Sequence, residues 1–179
     1  MEKKEFLQIC QKEFISMPAS CALLMWEVFS YLPGYFEAPA AASHHGNFDG
    51  GLFKHSLEVA KYLEYYTQGL KLTWQSKNSP YVVGLLHDAC KVDDYIKNAD
   101  GSWSYNPYAL EGHGTKSVQF IKNLTPLVLT EEEEKCIEQH MGAFVDSSRW
   151  ADYSSAVKQF PNVLYTHTAD MAASQILGV

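Results

Sequence analysis

Paired cysteines are absent from this sequence. Its four cysteines, Cys10, Cys21, Cys90 and Cys136, are scattered through 179 residues, and none has a partner at CxxC spacing. Such a pattern fits reduced thiols better than a disulfide framework or a cysteine-ligated zinc site. We therefore expect a protein of a reducing compartment, and we predict a cytoplasmic location.

Long apolar runs are also missing. The longest, residues 21–26, is far shorter than the roughly 20 residues that a membrane-spanning helix needs. The first residues, MEKKEFLQICQKEF, mix charged and apolar side chains and do not resemble a signal peptide. We expect no membrane partner.

Positive charge is in short supply, with 14 Lys and Arg against 21 Asp and Glu and a net charge of −7. A surface that grips nucleic acid normally carries a basic stripe, so nucleic acid is possible as a partner but not favoured. A small phosphate-containing substrate remains compatible, because bound divalent cations would reverse the sign of the charge in an Asp-lined pocket.

The periodicity of apolar residues is helical almost throughout, and strand signals are weak. The length fits a single domain, and 46% hydrophobic residues provide a substantial core. We predict an all-α helical bundle over residues 1–179. The expected helices lie near residues 4–15, 19–31, 52–67, 81–90, 112–123, 131–140 and 160–177, with a long loop or small hairpin at 94–111.

Histidines and aspartates stand at separate places in this pattern. His87 and Asp88 end an apolar helix, where burial without a partner would be costly. A metal site inside a bundle takes one or two ligands from each of several helices, which suits the set His55, His87, Asp88, His113, His140 and Asp170. Imidazole and carboxylate together suit Mn, Fe, Co, Ni or Zn.

The ligands divide into two groups in this prediction. His55, His87, Asp88 and Asp170 would hold one ion, while His113 and His140 would add a second, with Asp88 bridging the two. For any single histidine the alternative is a structural role. For His113 and His140 the alternatives are helix capping or support of other ligands.

The chain resembles the HD-domain superfamily of metal-dependent phosphohydrolases. The resemblance rests on the segments GGLFKHSLEV (50–59), GLLHDACK (84–91), EGHG (111–114) and HTADMAAS (167–174), together with His140. It covers residues 44–174, the expected HD core, and leaves residues 1–43 as N-terminal helices and a loop. The ordered set H…HD…H…H…D looks like the dinuclear members, although the GYP signature of the HD-GYP phosphodiesterases is absent.

This resemblance implies hydrolysis of a phosphate ester or anhydride, in a nucleotide or small phosphodiester, by metal-activated water. Asp88 and Lys91 would be catalytic, because family members with an HDxxK motif place a phosphate-binding lysine at the position of Lys91. His44 and His45 would join Lys91 in binding the substrate or would support other ligands, and the alternative is that both are exposed in their loop. The sequence does not indicate an oligomeric state.

Two other functions stay open. Some HD-fold proteins with a similar set of ligands hold a di-iron centre and act as oxygenases. A nucleotide-binding module without turnover is a third possibility. The aromatic residues Trp103, Tyr105 and Tyr108 could stack on a nucleobase or anchor their loop to the bundle.

Overall fold

Helices make up most of the chain, as the periodicity predicts. The computed structural model describes residues 1–41, 46–109 and 112–179. Its helices are α1 (Lys3–Glu13), α2 (Ala19–Phe29), α3 (Gly51–Leu70), α4 (Ser79–Leu86), α5 (Lys91–Asp94), α6 (His113–Leu124), α7 (Glu131–Glu138), α8 (Trp150–Gln159) and α9 (Asn162–Met171). The strands β1 (Tyr95–Lys97) and β2 (Trp103–Tyr105) form a small hairpin. The predicted all-α class is confirmed, with this hairpin as its one addition in the described residues.

Helix α3 lies at the centre and packs against both α4 and α9. Every residue of α4 is buried, which explains why its sequence is apolar on all sides. Gly84 allows α4 to approach α3 closely, since a Cβ at this position would lie 2.6 Å from the Cβ of Ala60. The absence of a side chain at Gly84 therefore sets the separation of the two helices that flank the site.

The N-terminal helices are joined to α3 by aromatic packing. Phe6 of α1 contacts Phe29 of α2 and Phe53 of α3, with ring centroids 5.5 and 6.0 Å apart. Both Phe6 and Phe29 are buried. Burying a side chain of this size contributes about 1.5–3 kcal/mol, so this cluster holds α1 and α2 against the bundle.

Two predicted helix starts have different outcomes. The segment Thr130-Glu-Glu-Glu133 predicts a capping box. This prediction is confirmed, because the Thr130 hydroxyl accepts from the Glu133 backbone N–H and the Glu133 carboxylate accepts from the Thr130 backbone N–H. The pair Ser79-Pro80 predicts a helix start with Ser79 as its N-cap, and this prediction is wrong. Ser79 is the first residue of α4, and its hydroxyl donates to Glu133 at 2.7 Å, which ties α4 to α7 instead.

The C-terminal part differs from its prediction in two respects. The single helix expected over residues 160–177 is divided into α9 and a π-helical turn at Ala172–Ile176. Helix α8 has no counterpart in the sequence prediction. It is amphipathic but largely exposed, with Ala156 as its one buried residue.

The hairpin is tied to the start of α3. The register pairs Tyr95 with Tyr105 and Lys97 with Trp103. The indole N–H of Trp103 donates to Asp49 at 2.9 Å, and Lys97 forms an ion pair with the same carboxylate. These contacts hold the hairpin beside the site.

Within residues 1–41, 46–109 and 112–179, no helix has both the length and the apolar composition needed to cross a bilayer.

Candidate metal centre

The structure brings all six predicted ligands together. His55 comes from α3, Asp170 from α9 and His113 from the first position of α6. His87 and Asp88 follow α4, and His140 follows α7. Residues 115 positions apart therefore meet, since the His55 Nε2 lies 3.1 Å from the Asp170 Oδ1.

The end of α4 explains how neighbours in the sequence can face one site. The helix predicted to run to residue 90 ends at Leu86. The backbone then tightens, with bonds from Ala89 N–H to the Leu86 carbonyl and from Lys91 N–H to the Asp88 carbonyl. Consecutive residues of a straight helix point about 100° apart, and this tighter turn directs both His87 and Asp88 into the site.

Three imidazoles are oriented by main-chain oxygens. The Nδ1–H groups of His55, His87 and His140 donate to Val179, Gly84 and Ile137, at 2.9, 2.9 and 2.7 Å. A carbonyl oxygen only accepts, so Nδ1 carries the hydrogen and the lone pair of the neutral ring lies on Nε2. This is the arrangement that metal-binding histidines adopt.

The acceptor atoms of the site converge. His55 Nε2 and His87 Nε2 lie 3.2 Å apart, and Asp88 Oδ2 lies 3.4 Å from His87 Nε2. Lone pairs at such distances repel each other unless a cation lies between them. Ligands about 2.1 Å from a zinc ion are themselves separated by ~3–3.5 Å, which matches these spacings. The buried His/Asp groups could therefore hold metal ions.

Asp88 lies between two sets of groups. Its Oδ2 faces Lys91, His87 and His55, while its Oδ1 faces His113 Nε2 at 2.6 Å and His140 Nε2 at 3.4 Å. Among the described residues, this Oδ1 receives no hydrogen bond of normal geometry. A buried carboxylate oxygen without such a bond is a good candidate for a metal ligand, and the two-sided arrangement suits a bridging carboxylate.

The charge state of the site follows from burial and neighbours. Burial alone would raise the pKa of Asp88, but Lys91, His87 and His113 outweigh it and hold the pKa well below the usual range. Burial lowers the pKa of His87. Asp88 is thus ionised and His87 neutral near pH 7, which are the forms that bind metal.

His113 is held differently from the other ligands. Its Nδ1 faces the Cys90 thiol at 3.4 Å and the Asp94 carboxylate at 3.8 Å, and the thiol in turn donates to Asp94 at 3.5 Å. Lys116 forms an ion pair with Asp94 at 2.6 Å. Neither Cys90 nor Asp94 was predicted from the sequence to support a ligand, although their i,i+4 spacing shortly after the His-Asp pair could have suggested them.

Lys91 is buried beside Asp88, with its Nζ 2.6 Å from Oδ2. Burial would lower the pKa of this lysine, but Asp88 and Asp170 raise it above its usual value, so the ammonium is charged. Lys91 also lines a cavity of about 330 Å³. That volume lies at the lower end of the range for small-molecule sites.

The inner part of the cavity holds the buried, charged side chains Asp88 and Lys91, and the exposed Tyr105 and Phe144 line its outer part. The cavity is lined by ionisable side chains and by apolar or aromatic ones. The ionisable residues are Asp88, Lys91, Asp94, His113, His140 and Asp170, and the apolar or aromatic residues are Ala40, Ala41, Tyr95, Tyr105, Met141, Phe144 and Met171. His55 and His87 lie beneath this surface and are fully buried. In the described part of the chain, the ligand cluster therefore borders this cavity through Asp88, His113, His140 and Asp170.

Two further predicted histidine roles have different outcomes. His44 and His45 lie outside the described residues, and their part in substrate binding stays a prediction. The position of His167 one turn before Asp170 predicts a packing or hydrogen-bonding role rather than metal binding. Its Nδ1–H donates to the His140 carbonyl at 2.8 Å. It thereby supports the segment that carries His140.

The comparison with known proteins gives a distant match. A curated protein of Methanocaldococcus jannaschii, dihydroneopterin 2′,3′-cyclic phosphate phosphodiesterase, is 27% identical to this chain over 144 residues. The relative is a phosphodiesterase. The match covers 78% of this chain and 53% of the relative, so the chain spans about half of that protein's length. No family model and no solved structure matches the chain.

Proposed function

We propose that this protein is a metal-dependent phosphohydrolase of the HD type that cleaves a phosphodiester in a small, nucleotide-like molecule. The observation that carries the proposal is the convergence of His55, His87, Asp88 and Asp170 with their acceptor atoms facing one another. The activity named for the distant relative supports a phosphodiester of a small molecule as the substrate class.

The residues divide between two ions in this proposal. His55, His87, Asp88 and Asp170 would hold the first, and His113 and His140 would hold the second, with Asp88 shared. A divalent transition metal (Mn, Fe, Co, Ni or Zn) would act as a Lewis acid and lower the pKa of water from 15.7 to about 7. The charge of the ions would also offset the aspartates, which otherwise repel a phosphate.

Lys91 is the proposed phosphate-binding group of the chain itself. Its ammonium lines the cavity and lies 2.6 Å from the Asp88 carboxylate. An ammonium held in a water-poor site stabilises charge that develops on phosphoryl oxygens. Asp88 has a double role in this proposal, because it binds metal and also keeps Lys91 charged and directed at the site.

Hydrolysis is preferred to the oxygenase alternative because the relative's named activity is hydrolytic. The same six ligands would serve either reaction, so oxygen dependence separates them. We expect turnover under strictly anaerobic conditions and incorporation of ¹⁸O from labelled water into the phosphate product. Turnover that requires dioxygen would contradict the proposal.

The direct test starts from metal-stripped protein. Mn²⁺, Fe²⁺, Co²⁺, Ni²⁺ and Zn²⁺ are restored one at a time, and hydrolysis is measured for a nucleoside 2′,3′-cyclic monophosphate, bis(p-nitrophenyl) phosphate and p-nitrophenyl phosphate. We expect at least one metal to support cleavage of the diesters, with the monoester slower. A protein that binds metal and nucleotide but hydrolyses none of these compounds would be a binding module instead.

A further inference from the structure

Two exposed aromatic side chains lie at the mouth of the cavity. Tyr105, on β2, and Phe144, in the 3₁₀ turn Gly142–Phe144, both line the cavity while 65% and 67% of their surface stays exposed. Large apolar side chains exposed at a cavity are a common feature of ligand sites. Aromatic side chains at this position suit a ligand with a flat apolar part.

Tyr105 is supported from behind. It pairs with Tyr95 across the hairpin, and the two ring centroids are 5.2 Å apart. Tyr95 is buried, and burial followed by the proximity of Tyr105 raises its pKa. The buried ring therefore acts as a backing that limits the orientations open to Tyr105, which lowers the entropy cost of ordering it against a ligand.

Phe144 is held by the segment that follows His140. Its backbone N–H donates to the Met141 carbonyl at 3.1 Å, and its ring lies 6.2 Å from that of His167. Gly142 has a φ of 56° and touches the His167 ring so closely that a Cβ would overlap it. This turn places an aromatic ring within a few residues of a proposed metal ligand.

The other aromatic residues of the hairpin region serve different purposes. The Trp103 indole N–H donates to Asp49, and the Lys97 ammonium lies over the Trp103 ring, 5.5 Å from the ring centroid. Trp103 anchors the hairpin. Tyr108 is 89% exposed and is not among the residues that line the cavity. Of the three aromatics singled out in the sequence, Tyr105 is thus the one suited to contact a ligand.

We propose that Tyr105 and Phe144 bind the planar heteroaromatic ring of the substrate and so determine which phosphodiesters are accepted. This inference rests on the proposed function, because it needs the phosphate to lie in the inner part of the cavity near Lys91. The charged inner part and the aromatic mouth match a molecule with a phosphate at one end and a flat ring at the other. Aromatic faces stack on such rings with little dependence on their substituents.

The test compares two substrates that share a cyclic phosphodiester. Adenosine 2′,3′-cyclic monophosphate carries a ring, and glycerol 1,2-cyclic phosphate does not. We expect Tyr105→Leu and Phe144→Leu each to raise the KM for the adenosine compound by about 5- to 150-fold, the range reported for loss of one stacking contact. Neither variant should change the kinetics with the glycerol compound by more than about two-fold.

Matched variants separate stacking from other effects. Tyr105→Phe keeps the ring and should retain the wild-type KM, while Tyr108→Leu removes an exposed tyrosine of the same segment and should have no effect. Equal losses with both substrates, or no change with the adenosine compound, would overturn the inference.

A failure of the proposed function gives a different result. If the wild-type protein hydrolyses neither compound with any metal, phosphodiester cleavage is refuted. Calorimetric titration of the metal-loaded wild type and variants with adenosine 2′,3′-cyclic monophosphate then tests the ring contact independently of turnover. A Kd that is unchanged in Tyr105→Leu and Phe144→Leu would refute it too, and a 5-fold or larger increase, by the stacking range above, would support it.

Discussion

The Lys91 Nζ lies 2.6 Å from the Asp88 Oδ2, and both side chains are buried. The carboxylate that stands between the two groups of histidines is therefore neutralised by a lysine of the same chain. This pairing has a consequence for stability, because removal of one member of a buried ion pair leaves the other uncompensated. A metal ion bound to Asp88 would compensate it instead.

Replacement of Lys91 by methionine tests this relationship. We expect Lys91→Met to lower the free energy of unfolding of the metal-free protein by at most about 3–5 kcal/mol, the usual effect of breaking a buried pair, because His113 stays in contact with Asp88. Saturating Mn²⁺ should raise the free energy of unfolding more in the variant than in the wild type. Urea titrations with and without the ion measure both values. An equal deficit in both states would mean that metal does not reach Asp88.

Removal of single ligands should affect the two proposed ions unequally. We expect His87→Ala and Asp88→Ala to abolish turnover and most metal content, whereas His113→Ala loses mainly the second ion. Elemental analysis of the purified variants gives the number of ions per chain. Asp100→Asn, at the exposed turn of the hairpin, is the control and should bind metal as the wild type does. Full metal content and activity in His87→Ala and Asp88→Ala would refute the site.

Cys90 is expected to position His113. Loss of a group that orients a metal-binding histidine typically lowers metal affinity about 10- to 100-fold, so Cys90→Ala should weaken the second ion by that factor and leave the first unchanged. Cys90→Ser should retain part of the affinity, because a hydroxyl can bond to both His113 and Asp94. Competition with a chromogenic chelator measures the two affinities. Cys10→Ala, another buried cysteine far along the chain, serves as the control.

Close packing of α3 and α4 predicts a different response at two glycines. Gly84→Ala should lower the free energy of unfolding by about 1–3 kcal/mol, since the added methyl overlaps Ala60. Gly69→Ala, near the end of α3 in open space, should be neutral or stabilise by up to about 1 kcal/mol. Chemical denaturation of the two variants measures the contrast. Equal effects would show that the helices do not meet at Gly84.

Buried thiols predict a loss of stability at high pH. Burial raises the pKa of Cys136 to about 12, against about 8.5 for an unfolded thiol. The stability that this thiol contributes is complete below pH 8.5 and is lost as the pH rises towards 12, because only the unfolded chain releases the proton in that window. The slope is at most about 1.4 kcal/mol per pH unit. Urea titrations from pH 8 to 11 should give a shallower slope for Cys136→Ala than for the wild type.

The sequence predictions succeeded where a local pattern of residues determined the structure and no contact with a distant residue overrode it. Apolar periodicity identified α1, α2, α3, α6 and α7, and the capping box at Thr130 was correctly placed because all of its partners lie within four residues. Ser79 failed as an N-cap because Glu133, which is 54 positions away, takes its hydroxyl. Helix α8 was missed because it is largely exposed and buries only Ala156.

The order and type of the proposed ligands were readable without coordinates, because imidazole, carboxylate and thiol groups are common ligands of transition metals. Which atom of each ring faces the site depends on contacts between distant segments. The Nδ1 of His55 is turned away by the main-chain oxygen of Val179, 124 positions later, and the Nδ1 of His113 meets Cys90 and Asp94 instead of a carbonyl. Chemical identity is a property of each residue, whereas orientation is imposed by packing, so only the tertiary structure could decide it.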